Sequence, residues 1–135
     1  MRTVKRRSMC PISSTLDILG DKWSLLIIRD LMFIGKKTYG EFLKSEESIA
    51  TNILAERLSF LEREQIIEKT EFPDNKVKNL YRLTSKGLDL LPILLDMIVW
   101  GDKYFKTPAK IKKIAENIRN SRKEIMDKIL KKFDS

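Results

Sequence analysis

The apolar residues of this chain keep a helical period toward both ends and switch to alternation in the middle. Near the start, Ile12, Leu16 and Leu19 share one side of a short amphipathic segment that closes at Gly20. Asp21 follows as a helix N-cap, and Trp23, Leu26, Ile27, Leu31 and Ile34 recur at helical spacing until Gly35 ends the run. Lys36, Lys37 and Thr38 lead into a second, short helix over Tyr39 to Lys44, and Ser45 to Ser48 is polar and turn-like. A third helix is predicted from about Ala50 to Glu64, with Leu54, Leu58 and Leu61 as its buried stripe.

After Gln65 the period becomes two. Ile66 to Phe72 is β-branched and alternating, Pro73-Asp74-Asn75 is turn chemistry, and Val77 to Leu83 alternates again. This reads as a β-hairpin. Thr84 or Ser85 then caps a long helix predicted to reach about Phe105, and the apolar residues from Leu88 to Trp100 nearly encircle it. A helix apolar on every side must be buried on every side, and a chain this small has little interior to offer. A partner subunit is the natural cover. Pro92 is expected to kink this helix or cost it one hydrogen bond. Thr107 and Pro108 read as the N-cap and first residue of a last helix to about Phe133. Its stripe of Ile111, Ile114, Ile118, Ile125 and Ile129 fits either a two-helix seam or plain surface packing. The fold class is mainly α with a small β-hairpin. Two short helices joined by a polar turn and followed by a hairpin give the winged helix-turn-helix order.

Composition narrows the function. The 135 residues suit a single domain over 1–135, and a hydrophobic share of 42% is enough for a core. The single cysteine, Cys10, rules out an intrachain disulfide and agrees with a cytoplasmic protein. No apolar run reaches the roughly 18 residues of a membrane span. The basic Met1 to Arg7 stretch is not followed by the apolar region of a signal peptide. Histidine is absent, which removes the commonest general base and metal ligand. One cysteine cannot build a cysteine-rich zinc site, and the five glycines are too scattered for a phosphate loop. An enzyme is therefore not expected, and neither is a metal or a cofactor. The net charge of +8 points to a polyanionic partner. However, the basic residues crowd the two ends, Arg2 to Arg7 and Lys106 to Lys132, so charge alone does not locate a binding face. The C-terminal cluster reads equally well as a solvated surface.

Against this background the chain resembles the HxlR-type regulators, a branch of the winged-helix bacterial transcription factors. The matching residues are Cys10-Pro11, Leu16 to Trp23, Leu26-Ile27-Ile28 and Leu31, then Tyr39-Gly40-Glu41-Phe42, Ile49, Leu54, Arg57-Leu58 and Leu61-Glu62. Tyr81-Arg82-Leu83-Thr84, Gly87, Pro92 and Trp100-Gly101 complete the pattern. Each piece is weak alone; the order and spacing together are specific. The match covers residues 10–105 of the proposed domain and leaves 106–135 as a basic amphipathic helix. The resemblance implies a homodimer that binds operator DNA and dimerises through its first and last helices. The family often carries a serine where this chain has Ala50, so the cap of the third helix is expected from Ser48 or Thr51.

With Leu54, Leu58 and Leu61 facing the core, the opposite side of the third helix carries Asn52, Glu56, Ser59 and Arg63, with Thr51 and Ala55 at its edge. The N-terminal part of such a helix enters the major groove. There Asn52 suits adenine, Glu56 accepts from cytosine and Ala55 meets a thymine methyl. Phosphate contacts are expected from Lys36, Lys37, Thr38 and Tyr39, and from Lys76, Lys78 and Arg82 of the wing. Arg63 sits a turn too late to reach a base and is expected at phosphate or in solvent. The leading function is sequence-specific regulation of transcription on double-stranded DNA. The alternatives are a winged-helix protein–protein module and a sequence-blind binder that uses the basic C-terminal helix. Cys10 is a candidate redox sensor, because the Cys-Pro cysteine has that role in some relatives and Lys5, Arg6 and Arg7 favour a thiolate. The competing reading makes it a small buried apolar residue.

Overall fold

Asp21 lies just ahead of the first long helix of the chain, whose N-cap is Trp23 and not, as predicted, Asp21. Its Oδ2 accepts the backbone N–H groups of Trp23 and Ser24, both at 2.9 Å, which meets two of the donors that a helix start leaves open. The computed structural model describes residues 6–35 and 37–134. Lys36, expected at the DNA backbone, and Lys5, upstream of Cys10, lie outside the described residues. The order of elements is α1 (Pro11–Leu19), α2 (Ser24–Ile34), β1 (Lys37–Thr38), α3 (Tyr39–Phe42), α4 (Thr51–Arg63) and β2 (Ile67–Thr70). After β2 come β3 (Leu80–Leu83), α5 (Ser85–Leu88), α6 (Leu91–Tyr104) and α7 (Ala109–Lys131). Helix α2 is the centre of the core: Ile27, Ile28, Leu31 and Met32 are all buried. Leu54, Leu58 and Leu61 of α4 close over it, as their spacing predicts.

The expected hairpin is a three-stranded antiparallel sheet in the order β1-β3-β2. Lys37 pairs with Tyr81 and Thr38 with Leu80, while Ile67 pairs with Leu83 and Thr70 with Leu80. A two-residue strand shows no alternation of its own, so β1 is visible only through its partner. The strands of the wing are also shorter than predicted. The Phe72 N–H donates to Asn79 Oδ1 at 2.9 Å, and the Val77 N–H donates to Asn75 Oδ1 at 3.1 Å. These side-chain acceptors take backbone donors away from the ladder, and Lys76–Lys78 winds into a single 3-10 turn instead.

Two further corrections concern the C-terminal half. The long helix predicted from Thr84 is two helices, the short α5 and then α6, with Pro92 in the first turn of α6. The proline lacks an N–H that this turn would not use, so the chain breaks ahead of it rather than kinking at it. The Thr84 cap is present: its Oγ1 accepts from the Gly87 N–H at 3.2 Å. A side chain at Gly87 would collide with the carbonyl of Ile66. The last helix begins at Ala109 with Pro108, not Thr107, at its N-cap, because the Thr107 hydroxyl donates to Asp102 Oδ1 at 2.8 Å. Helix α7 bends at Ser121, whose backbone is not helical, and folds back along its own chain. Arg119 reaches Asp102 at 3.2 Å and Arg122 reaches Asp96 at 2.8 Å. Ile118 is buried, and Ile125 and Ile129 pack against the core, so the predicted seam is largely intramolecular.

Candidate nucleic-acid interface

Helices α3 and α4, with the turn between them, meet the wing along one side of the molecule. Helix α3 opens on a capping box: Thr38 Oγ1 accepts from the Glu41 N–H at 3.2 Å, and Glu41 Oε1 accepts from the Thr38 N–H at 2.9 Å. The hydrogen bonds that the Thr38 N–H and the Thr38 hydroxyl donate to this carboxylate lead the causes that hold it below its ordinary range. The Tyr39 hydroxyl donates to the Thr51 carbonyl at 3.2 Å and ties α3 to the first turn of α4. On the other flank, Arg29 of α2 grips Glu47 of the turn through two hydrogen bonds of 2.9 and 3.0 Å. The Arg29 hydrogen bond is the main reason the Glu47 carboxyl is pulled down to about 2.

Helix α4 itself starts differently from expectation. Ala50 occupies the N-cap with no side-chain cap, Thr51 is the first helical residue, and Ser48 sits in the left-handed region at φ 53°. Neither Ser48 nor Thr51 supplies the cap, so the Thr51 hydroxyl is not committed to one. Thr51, Asn52, Ala55, Glu56, Ser59 and Arg63 are all exposed on the face opposite the leucine stripe. Arg63 donates back to Ser59 Oγ at 3.0 Å. Between this face and the wing lies a groove of about 350 Å³, lined by Tyr39, Ala55, Ser59, Lys69, Lys76 and Tyr81 among others. Lys76 and Lys78 are exposed at the tip of the wing.

Two of the expected phosphate contacts are placed elsewhere. Lys37 is only 9% exposed; its ammonium lies 3.4 Å from Asp30 Oδ2 and 5.5 Å from the centre of the Phe42 ring. It is an internal strut between α2 and the sheet. Arg82 pairs with Glu68 across β2 and β3. Successive strand residues point to opposite faces, so Tyr81 lines the groove while Arg82 lines a separate cavity with Ile34, Thr84 and Phe133.

One residue beside this face was read from the sequence only as part of the family pattern. Arg57 of α4 donates to both oxygens of Glu56, to Asp21 Oδ1 and to Ser24 Oγ. The hydrogen bond to Glu56 is the chief cause that raises its pKa. Burial alone would raise the Asp21 carboxyl, but the hydrogen bonds from Ser24 and Trp23 and the Arg57 charge outweigh it and lower it. The adjacent Glu-Arg pair was a local signal; Asp21, 36 residues away, was not.

Away from this side, Cys10 is free and exposed at the N-cap of α1, which removes the buried alternative. Arg7 pairs with Asp17 at 2.6 Å and Arg6 donates to Ser14 Oγ at 2.9 Å. Ile12 and Leu16 of α1, and Ile93, Met97, Trp100 and Tyr104 of α6, are exposed apolar side chains. Trp23 is partly buried against the core, whereas Trp100 is 61% exposed.

A helix–turn–helix, a sheet with a projecting loop and an uncovered polar helix face define the winged helix-turn-helix class. The sequence model of the HxlR-like helix-turn-helix domain matches residues 18–109. The HTH-type transcriptional regulator YodB of Bacillus subtilis (strain 168) is 38% identical over 98 residues, 72% of this chain and 87% of that protein. The quinone-bound YodB structure aligns with TM-score 0.59 at 33% identity, over 71% of this chain and 100% of that one. The redox regulator HypR in its oxidized form aligns with TM-score 0.64 at 34% identity, over 73% of this chain and 100% of that one. The chain belongs to the HxlR-like helix-turn-helix family of DNA-binding transcriptional regulators.

Proposed function

We propose that this regulator binds a palindromic operator as a homodimer, in the cytoplasm, with α4 in the major groove and the wing on the flanking backbone. It controls transcription by occupying DNA, not by catalysis. The observation that carries the reading is the exposed row Thr51, Asn52, Ala55, Glu56 and Ser59, set beside exposed Lys76 and Lys78. Asn52 reads adenine, Glu56 cytosine and Ala55 a thymine methyl. Tyr39, Thr38 and the two wing lysines, with Lys36, hold the backbone. Lys37 and Arg82 drop out of this set, since one is buried and the other is paired away from the groove. Two copies meet over the apolar faces of α1 and α6.

Cys10 is the site through which the protein senses oxidants or electrophiles. Its exposure and its place on α1 support this, as do relatives solved as a quinone-bound and as an oxidized regulator. With a single cysteine per chain, the modified forms are a Cys10–Cys10 bridge between subunits or a capped thiol. Operator selection from random duplexes tests the main reading. A defined palindrome is expected. No binding indicates a protein–protein module, and sequence-blind binding indicates the basic C-terminal helix at work. Diamide treatment beside Cys10→Ser tests the cysteine: equal operator affinity before and after modification would leave Cys10 without a sensing role.

A further inference from the structure

Arg57 lies next to the reading face of α4 but not on it. Its side chain keeps 16% of its exposure, whereas that of Glu56 keeps 55%. The guanidinium lies 4.5 Å from the centre of the Phe60 ring, which holds its plane. From there its donors go two ways. Nε and Nη2 donate to the two oxygens of Glu56, each at 2.7 Å. Nη1 donates to Asp21 Oδ1 at 3.2 Å and to Ser24 Oγ at 3.4 Å. Asp21 is itself fixed by two backbone N–H groups at the start of α2. A continuous polar path therefore runs from the α2 terminus, through a largely covered guanidinium, to a carboxylate on the outer face of α4.

We infer that Arg57 is a specificity-determining positioning residue, which holds Glu56 in one pose as the acceptor for the exocyclic amine of a cytosine. This rests on the reading of α4 as the helix in the major groove. A lone glutamate is poorly suited to that task, because its side chain is flexible and its charge faces phosphates. The two-pronged pair answers both problems. It restricts the rotamers of Glu56 before DNA arrives, and it offsets the charge the backbone meets. A carboxylate offers about four acceptor positions, so a two-pronged pair with Arg57 does not exclude a further contact to a base. The exposures assign the roles: Glu56 can reach outward, and Arg57 buttresses it from beneath. A lysine at position 57 would keep the charge but lose the planar fork, so Arg57→Lys separates geometry from electrostatics.

The test is operator selection, followed by affinities on the selected site and its single-base variants, for Arg57→Lys, Glu56→Ala and the double variant. In the native protein one position per half-site is expected to be cytosine. Arg57→Lys should lower the preference at that position about tenfold and leave the other positions unchanged. Glu56→Ala should abolish the same preference, and the double variant should lose nothing more. Thermal melting checks that each variant folds; if Arg57→Lys does not, Asp21→Asn cuts the same path from its other end and should relax the same position. Retention of the cytosine preference in Arg57→Lys, beside its loss in Glu56→Ala, would overturn the proposal. So would an equal loss at every position, which marks a residue that only orients the helix. If Asn52→Ala changes the selected site and Glu56→Ala does not, this proposal fails while α4 remains the reading helix. If no site is selected at all, the DNA reading itself fails.

Discussion

Helices α4 and α6 each leave a face open to water, and the two faces are opposites. That of α4 is Asn52, Ala55, Glu56 and Ser59, small or polar groups that water solvates well. That of α6 is Ile93, Met97, Trp100 and Tyr104, which fall at i, i+4, i+7 and i+11. Trp100 also meets Tyr104 at a tilt, 5.2 Å between ring centres, and Phe105 edge-on at 5.9 Å, and all three side chains are well exposed. A polar face can wait for its ligand at little cost. An apolar stripe of this size is disfavoured in water and calls for a permanent cover. In the proposed dimer, the contrast separates a surface for exchange from a surface for assembly.

The comparison breaks first at Trp100. Trp100→Glu places a charge in the apolar stripe and is expected to give a monomer in sedimentation at micromolar concentration. Once two half-sites are no longer bound together, operator affinity should fall by roughly a hundredfold or more. A dimer that survives this change would move the assembly surface elsewhere. On the other face, Asn52→Ala should weaken operator binding by about 1–3 kcal/mol and relax one position per half-site, with no change in assembly state. An unchanged selected sequence would refute that placement of Asn52. Smaller effects sharpen the map of charges. Lys76→Ala should weaken all duplexes alike and reduce the salt slope of binding by about one. Lys37→Met should instead lower the melting temperature and leave the salt slope as it was, since Lys37 serves Asp30.

The smallest effect is electrostatic. Glu47 titrates near 2 in the folded chain against an ordinary 4.5, so the fold favours its ionised form. Its contribution is complete above about 4.5 and is lost as the pH falls toward about 2. Both partners are about a third exposed, so the pair stabilises the fold by no more than about 1 kcal/mol. Glu47→Gln should flatten this part of the acid-denaturation curve; an unaltered curve would show that the Arg29 clamp adds nothing.

The helices of the reading half were legible because each carries its own period: the leucine stripe of α4 fixed its outer face without knowledge of any neighbour. What stayed hidden depends on partners distant in sequence. The strand β1 exists only because Leu80 and Tyr81 lie beside it. Lys37 reads as one of a surface pair until Asp30 and Phe42 close around it. The apolar girdle of α6 suggested burial all round, but α7 covers only one side of it, and periodicity does not say from which chain a cover comes. The wing was legible as a turn and not as a 3-10 coil, since the acceptors that reshape it are two asparagine side chains.

The burial of Lys37 also has a chemical consequence. An amine held against a carboxylate and an aromatic ring reacts slowly with acylating reagents, whereas the Lys76 and Lys78 amines stand in open solvent. Acylation removes the positive charge of a lysine. Limited treatment should therefore strip the wing of its charge while the interior strut survives, yielding a folded protein whose grip on DNA is weakened without a single codon being altered.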